Sequence, residues 1–162
     1  MPIIGSSCRD MAPEETKHNR EIEIFAQFVS ASKLLIDPTT IEKREPPEPD
    51  ILCTHLNEGP QAFELVEICD PTLAKFMATV TEGGAYYIRT ADPSARIIRK
   101  KLRRKYQTDY PVELRCYTNG RVITPADVIV PTIRLYLASW KSTFRSAWLF
   151  SRGDVYQVWS VG

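Results

Sequence analysis

Apolar and polar residues recur along this chain with the spacings of helices and strands in turn. In residues 14–35, Ile22, Phe25 and Val29 lie three and four positions apart, with further apolar residues beside them. This spacing predicts an amphipathic helix. The helix is expected to end before Pro38, because the residue that precedes a proline is restricted to extended conformations.

A β-hairpin is predicted next. Two apolar, β-prone runs, 51–56 and 62–69, are separated by the turn-forming sequence Asn-Glu-Gly-Pro at 57–60. Apolar runs joined by a short turn that contains glycine are typical of hairpins.

The remaining elements follow from the same rules. In chain order we expect a helix over 71–80 stopped by Gly83 and Gly84, a brief strand over 86–90, a basic helix over 92–106, a strand over 112–118, a helix in the second half of 125–140 after an interruption at Pro131, and a terminal hairpin over 146–161. Asp-Pro pairs begin two of these helices as cap and first position. Mixed elements in this order predict an α/β fold, with a mixed central sheet flanked by helices.

Composition predicts one domain. The 162 residues can bury a real core, so we expect a flexible N-terminus over 1–13 and a single domain over 14–162. No apolar run approaches the ~20 residues of a membrane span, and no signal peptide is recognised. The four cysteines form no Cys-x-x-Cys pair. We therefore expect reduced thiols, no zinc site, no membrane contact and a cytoplasmic protein.

The predicted hairpin carries acids where strands usually carry apolar residues: Asp50, Glu64 and Glu67. Burying unpaired charge is costly, so a divalent cation is a natural partner for these carboxylates.

The register of the hairpin decides which acid faces Asp50. If Leu56 pairs with Gln61, Asp50 lies opposite Glu67. A shift of one residue instead puts Asp50 diagonal to Glu64, and the sequence leaves both registers open.

These residues carry a resemblance. Pro49-Asp50, a hairpin turn and an apolar strand that bears Glu64 resemble the PD-(D/E)xK signature of restriction-endonuclease-like nucleases, and in particular a group of small bacterial proteins of that type. The resemblance covers about residues 14–118, because that fold runs helix, strands, helix, strand. It implies that the Asp50 and Glu64 carboxylates hold Mg²⁺ or Mn²⁺ and that water attacks a phosphodiester.

The chain departs from this signature at one position. The motif has a lysine two residues after the glutamate, and Val66 stands there. Glu67 could substitute for it, or a lysine could come from a neighbouring helix, with Lys75 and Lys100 as candidates. Without any substitute, the protein would be a catalytically inactive member of the fold that acts as a protein-interaction or regulatory module.

Two further sets of residues extend the predicted site. The family often adds a glutamate from the first helix or the following loop, for which Glu21, Glu23 and Glu45 are the candidates, although a solvent-facing position is expected for the two helical acids. The basic helix, with Arg99, Lys100 and Arg103, is expected to bind phosphates of nucleic acid, DNA rather than RNA. A homodimer is also plausible, because the terminal hairpin has an edge to cover.

Overall fold

The computed structural model describes residues 13–79 and 87–161, and it confirms the predicted α/β class. Its elements are α1 (Pro13–Ser32), β1 (Glu42–Lys43), β2 (Ile51–His55), β3 (Gly59–Glu67), α2 (Pro71–Thr79), α3 (Ser94–Leu102), β4 (Val112–Tyr117), α4 (Ala126–Ser139), β5 (Phe144–Ser151) and β6 (Asp154–Ser160). The predicted N-terminal segment, apart from residue 13, and the stop at Gly83 and Gly84 lie outside the described residues. None of the described helices is long and apolar enough to cross a membrane.

The six strands form one mixed sheet in the order β1-β2-β3-β4-β5-β6. The first three are antiparallel to each other, β3 and β4 are parallel, β4 and β5 are parallel, and β5 and β6 form the antiparallel terminal hairpin. Helices α2 and α3 form the crossover between β3 and β4, and α4 forms the next one, as parallel pairing requires. The homodimer through the terminal hairpin stays a prediction.

Alternation along the strands builds a core on each face of the sheet. On one face α1 covers a cluster that includes Phe25, Ile51 and Phe63. On the other face α3 and α4 cover a larger cluster, which includes Ile98 of α3 and Ile133 of α4. Because successive side chains of a strand point to opposite faces, the parity of a residue in β3 decides which helices it meets.

Both hairpin turns are short. Arg152 and Gly153 have φ of 52° and 83°, which suits the two-residue turns that match the twist of a hairpin. The first hairpin has a three-residue loop, 56–58, before Gly59 with its φ of 82°. The four-residue loop expected from the sequence is therefore wrong, since Gly59 and Pro60 belong to β3.

Three other boundaries differ from the predictions. Helix α3 ends at Leu102 rather than near 106, and residues 87–90 form no strand. Helix α4 continues through Pro131. Ile129, Ile133 and Leu137 are buried four residues apart on both sides of it, and this packing outweighs the loss of the backbone hydrogen bond that a proline cannot donate.

Candidate active site

The register of the first hairpin places the two predicted metal ligands together. His55 pairs with Gly59 and Ile51 with Phe63, so the next position outward sets Asp50 against Glu64. Neither register expected from the sequence is correct, because the loop begins one residue earlier and ends two residues earlier than the Asn-Glu-Gly-Pro turn suggested. The backbone N–H of Asp50 donates to Glu64 Oε2 at 3.2 Å, which fixes the two acids side by side.

Asp50 is held by β1 and β3. Its Oδ2 accepts a hydrogen bond from the backbone N–H of Leu65 at 2.9 Å, and its Oδ1 accepts one from Lys43 Nζ at 3.0 Å. Lys43 also lies 2.8 Å from Glu21 Oε2 on α1. Glu21 is thus buried in the site rather than solvent-facing as the helix pattern suggested, whereas Glu23 is exposed.

Glu64 is the most deeply buried of the acids, with 2% of its side chain exposed. Its Oε1 accepts a hydrogen bond from Lys101 Nζ at the end of α3, and Arg104 Nη1 lies 3.6 Å from the same oxygen. Lys101 therefore lies next to Glu64, where the sequence predicted a lysine from a neighbouring helix. The sequence pointed to Lys100 or Lys75 for this position and missed it.

The other two predicted acids lie apart from this centre. Glu67 points to the opposite face of β3 and forms a bidentate ion pair with Arg121, with Arg121 Nε 2.8 Å from Glu67 Oε2. Glu45 is exposed in the connection before β2, and its carbonyl accepts a hydrogen bond from the N–H of Glu48. The structure therefore brings Asp50 and Glu64 together, and it connects Glu21 to Asp50 through Lys43.

A basic surface adjoins the acids. Arg99, Lys100 and Arg103, predicted as phosphate-binding residues, are exposed. Ile98 and Leu102 anchor the other side of α3 in the core. Since the same helix end delivers Lys101 to Glu64, the exposed cations and the buried carboxylates belong to one region of the molecule.

Burial and like charge control the protonation of this centre. Burial, and then the charge of Asp50, raises the pKa of the Glu64 carboxyl above its usual 4.5, and Lys101 only partly opposes the shift. Burial by itself would lower the pKa of Lys43, but its contacts with Glu21 and Asp50 outweigh it and raise that pKa. The upward shift of the Glu64 pKa caused by burial and by the charge of Asp50 is thus larger than the downward shift caused by Lys101.

The donor set fits a small divalent cation. Mg²⁺ is usually bound by one or two carboxylates together with waters, which Asp50 and Glu64 can provide. The Tyr106 hydroxyl is buried next to these acids, and burial, then the charge of Glu64 and a hydrogen bond to it, raise the pKa of Tyr106. In the part of the chain that the structure describes, no group of three His, Cys, Asp or Glu side chains could hold a metal ion.

The raised pKa of Glu64 predicts that its charge destabilises the fold near neutral pH. The folded state keeps the proton to a higher pH than the unfolded chain, so stability falls as pH rises from about 4.5 through the raised pKa. We expect Glu64→Gln, which removes this titration, to raise Tm at pH 7 by a few degrees, since 1 kcal/mol corresponds to roughly 2–4 °C at this chain length.

Thermal melts of Glu64→Gln and of wild type from pH 4 to pH 8 measure this effect. The difference in Tm should shrink toward pH 4, where wild-type Glu64 is largely protonated in both states. Glu23→Gln, on the exposed side of α1, is the matched control and should leave Tm unchanged at every pH. A lower Tm for Glu64→Gln at pH 7 would show instead that the Lys101 ion pair is net stabilising.

Comparison with protein-family models, with curated proteins and with solved structures finds no match for this chain.

Proposed function

We propose that this protein is a Mg²⁺- or Mn²⁺-dependent nuclease that hydrolyses phosphodiester bonds, with DNA the preferred nucleic acid. The observation that carries the proposal is the convergence of Asp50 and Glu64 with Lys101 beside an exposed basic helix. Acids that lie 14 residues apart in the chain meet on one sheet face, and a lysine from a third element contacts Glu64. The order helix, strands, helix, strand also agrees with the resemblance to restriction-endonuclease-like proteins.

Each residue of the centre has a distinct task in this proposal. A divalent cation held by Asp50 and Glu64 would supply Lewis-acid chemistry for the phosphoryl oxygen and the attacking water. Asp50 and Glu64 bind and orient it, and Lys43 holds Asp50 in place. Lys101 takes the role of the motif lysine, whose position is occupied by Val66, and donates a hydrogen bond to the attacking water. The exposed cations of α3 bind the flanking phosphates.

The proposal places the protein in the cytoplasm. Cys53, Cys69 and Cys116 are free, and thiols remain reduced in that compartment. Burial raises the pKa of Cys53 and Cys116 to about 12, so neither is poised to react at neutral pH.

A second candidate is a catalytically inactive member of the fold that binds a partner protein. One observation favours it. Three carboxylates, Glu21, Asp50 and Glu64, are matched by three cations, Lys43, Lys101 and Arg104. The charges of this network balance without a metal ion, so its only role could be to stabilise the fold.

Metal titration separates the two candidates. Isothermal calorimetry of Mg²⁺ or Mn²⁺ into wild type should detect one bound cation, and Asp50→Ala should lose it. Glu42→Ala, at an exposed acid of β1, is the matched control and should bind like wild type. Incubation of wild type with labelled DNA and RNA, with Mg²⁺ or with EDTA, should give cleavage that depends on the metal.

The inactive candidate predicts the opposite results. Wild type and Asp50→Ala would then give the same negligible heats, and neither nucleic acid would be cut. The nuclease proposal would be abandoned on that outcome.

A further inference from the structure

A cavity opens on the sheet face that carries the acids. It has a volume of about 420 Å³, within the range of pockets that bind small organic ligands. Leu52 and Ala62 pair across β2 and β3 and line it. They lie one side-chain row, ~6.6 Å along the strands, from the Asp50–Glu64 row.

The walls of this cavity come from the two segments that flank the acids. Arg44, Glu48 and Pro49 line one side, and residues 107–110 line the other. The N–H of Gln107 donates to the carbonyl of Pro47 at 3.0 Å, and the N–H of Arg44 donates to the carbonyl of Asp50 at 2.8 Å. These bonds tie both walls to the segment that positions Asp50.

The polar lining suits a neutral, hydrogen-bonding ring better than a phosphate. Glu48 and Asp109 outnumber Arg44, the one cation among the described residues of the lining, so the cavity disfavours an anion, and the two carboxylates can accept hydrogen bonds from the amino groups of a base. Arg44 Nε has no hydrogen-bond partner but lies 3.9 Å from Glu48 Oε1, so a ligand that accepts a hydrogen bond from it would compete with this ion pair. Tyr110, 41% exposed at the cavity, offers a ring for stacking.

We propose that this cavity binds the unstacked base of an unpaired nucleotide next to the bond that is cut, so that the substrate is a single-stranded nucleic acid or a strand end. The inference rests on the proposed nuclease function. Bases in a duplex are stacked and paired, and reaching such a pocket would require unpairing that costs a few kcal/mol. The basic segment that runs from α3 to Tyr110 would guide the strand into the cavity.

Binding measured in EDTA tests the pocket without any cleavage. Fluorescence anisotropy of a labelled oligo(dT) and of a matched duplex should show that wild type prefers the single strand. Tyr110→Ala should weaken single-strand binding about tenfold, whereas Tyr110→Phe, which keeps the ring, should bind like wild type. Tyr156→Ala, at another exposed tyrosine, on β6, is the matched control and should have no effect.

Binding of a labelled oligo(rU) shows whether the site prefers ribose or deoxyribose. We expect DNA to bind as tightly as RNA or more tightly. Equal binding of duplex and single strand, no binding of either, or an unchanged affinity in Tyr110→Ala would overturn the pocket assignment. Cleavage in Mg²⁺ is scored separately. Equal cutting of duplex and single strand would support the nuclease function and overturn the base pocket. Tyr110-dependent binding without any cutting would support the base pocket and overturn the nuclease function.

Discussion

Asp50→Asn and Lys101→Met are each expected to reduce metal-dependent cleavage about 10³-fold or more. Asparagine can still accept the hydrogen bond from the N–H of Leu65, so the hairpin should stay folded, but it removes the charge that is proposed to bind the cation. Metal stabilisation of the transition state is worth several kcal/mol, and about 4 kcal/mol corresponds to a factor of 10³ in rate.

The two variants should differ in metal affinity, which separates their roles. Calorimetry should show that Asp50→Asn loses the bound cation and that Lys101→Met keeps it, because Lys101 is expected to act on the water and not on the metal. Lys75→Met, on α2, is the matched control for the lysine and should cleave at the wild-type rate. Full activity in Lys101→Met would remove this lysine from the mechanism.

The choice between Lys100 and Lys101 was within reach of the sequence. At 3.6 residues per turn, Lys101 lies ~60° around the helix from Ile98, at the flank of the buried stripe, while Lys100 lies ~160° away. A lysine at the edge of the stripe can extend over the sheet, and one on the far side cannot. The phase of the basic helix therefore decides which of its cations can reach the sheet.

The hairpin register was harder to predict. Asp50 and Glu64 were identified from the motif, but their pairing depends on a loop that spans 56–58 rather than 57–60. This difference moves the register by three positions and sets Asp50 opposite Glu64 instead of Glu67. His55 Nδ1 accepts hydrogen bonds from the N–H groups of Asn57 and Glu58 at 3.2 Å, and Gly59 takes a positive φ. A histidine that closes a turn by its side chain has no pattern in the sequence alone.

The broad fold was more accessible, because its signals are local. The helical spacing of α1 and the Asp-Pro start of α2 each act within a few residues, and both elements were located to within a few positions. Asp70 caps α2 by accepting from the N–H of Thr72 at 2.9 Å, as the cap-and-proline pattern predicted. Tertiary packing determined what local pattern could not, such as the continuation of α4 through Pro131.

A buried ion pair in β4 escaped the sequence reading, although its signal was present. Glu113 and Arg115 are two residues apart in a strand, so they share a face, and opposite charges at that spacing can pair. Arg115 Nη2 donates to Glu113 Oε2 at 2.9 Å. The guanidinium lies 4.7 to 5.6 Å from the ring centroids of Phe28, Phe63 and Trp148.

Arg115→Ala is therefore expected to destabilise the fold by about 3–5 kcal/mol, the usual cost of breaking a buried ion pair. Burial lowers the pKa of Arg115 to about 10, and Glu113 opposes that shift. The variant would leave the Glu113 carboxylate buried with Ser146 and the partly exposed Arg145 as its remaining partners. It would also remove the cation from three aromatic rings. Thermal denaturation should show a fall in Tm of about 10 °C or more.

The double variant Arg115→Met/Glu113→Gln should recover part of this loss, because no unpaired charge then remains buried and methionine fills the space among the rings. Lys17→Ala is the matched control, since Lys17 is 74% exposed and lies 3.7 Å from Glu21. Because Lys17 is exposed to solvent, its pair with the buried Glu21 should contribute about 1 kcal/mol or less. If Arg115→Ala melted within 2 °C of wild type, the ion pair would not stabilise the fold, and the three rings would pack as well without it.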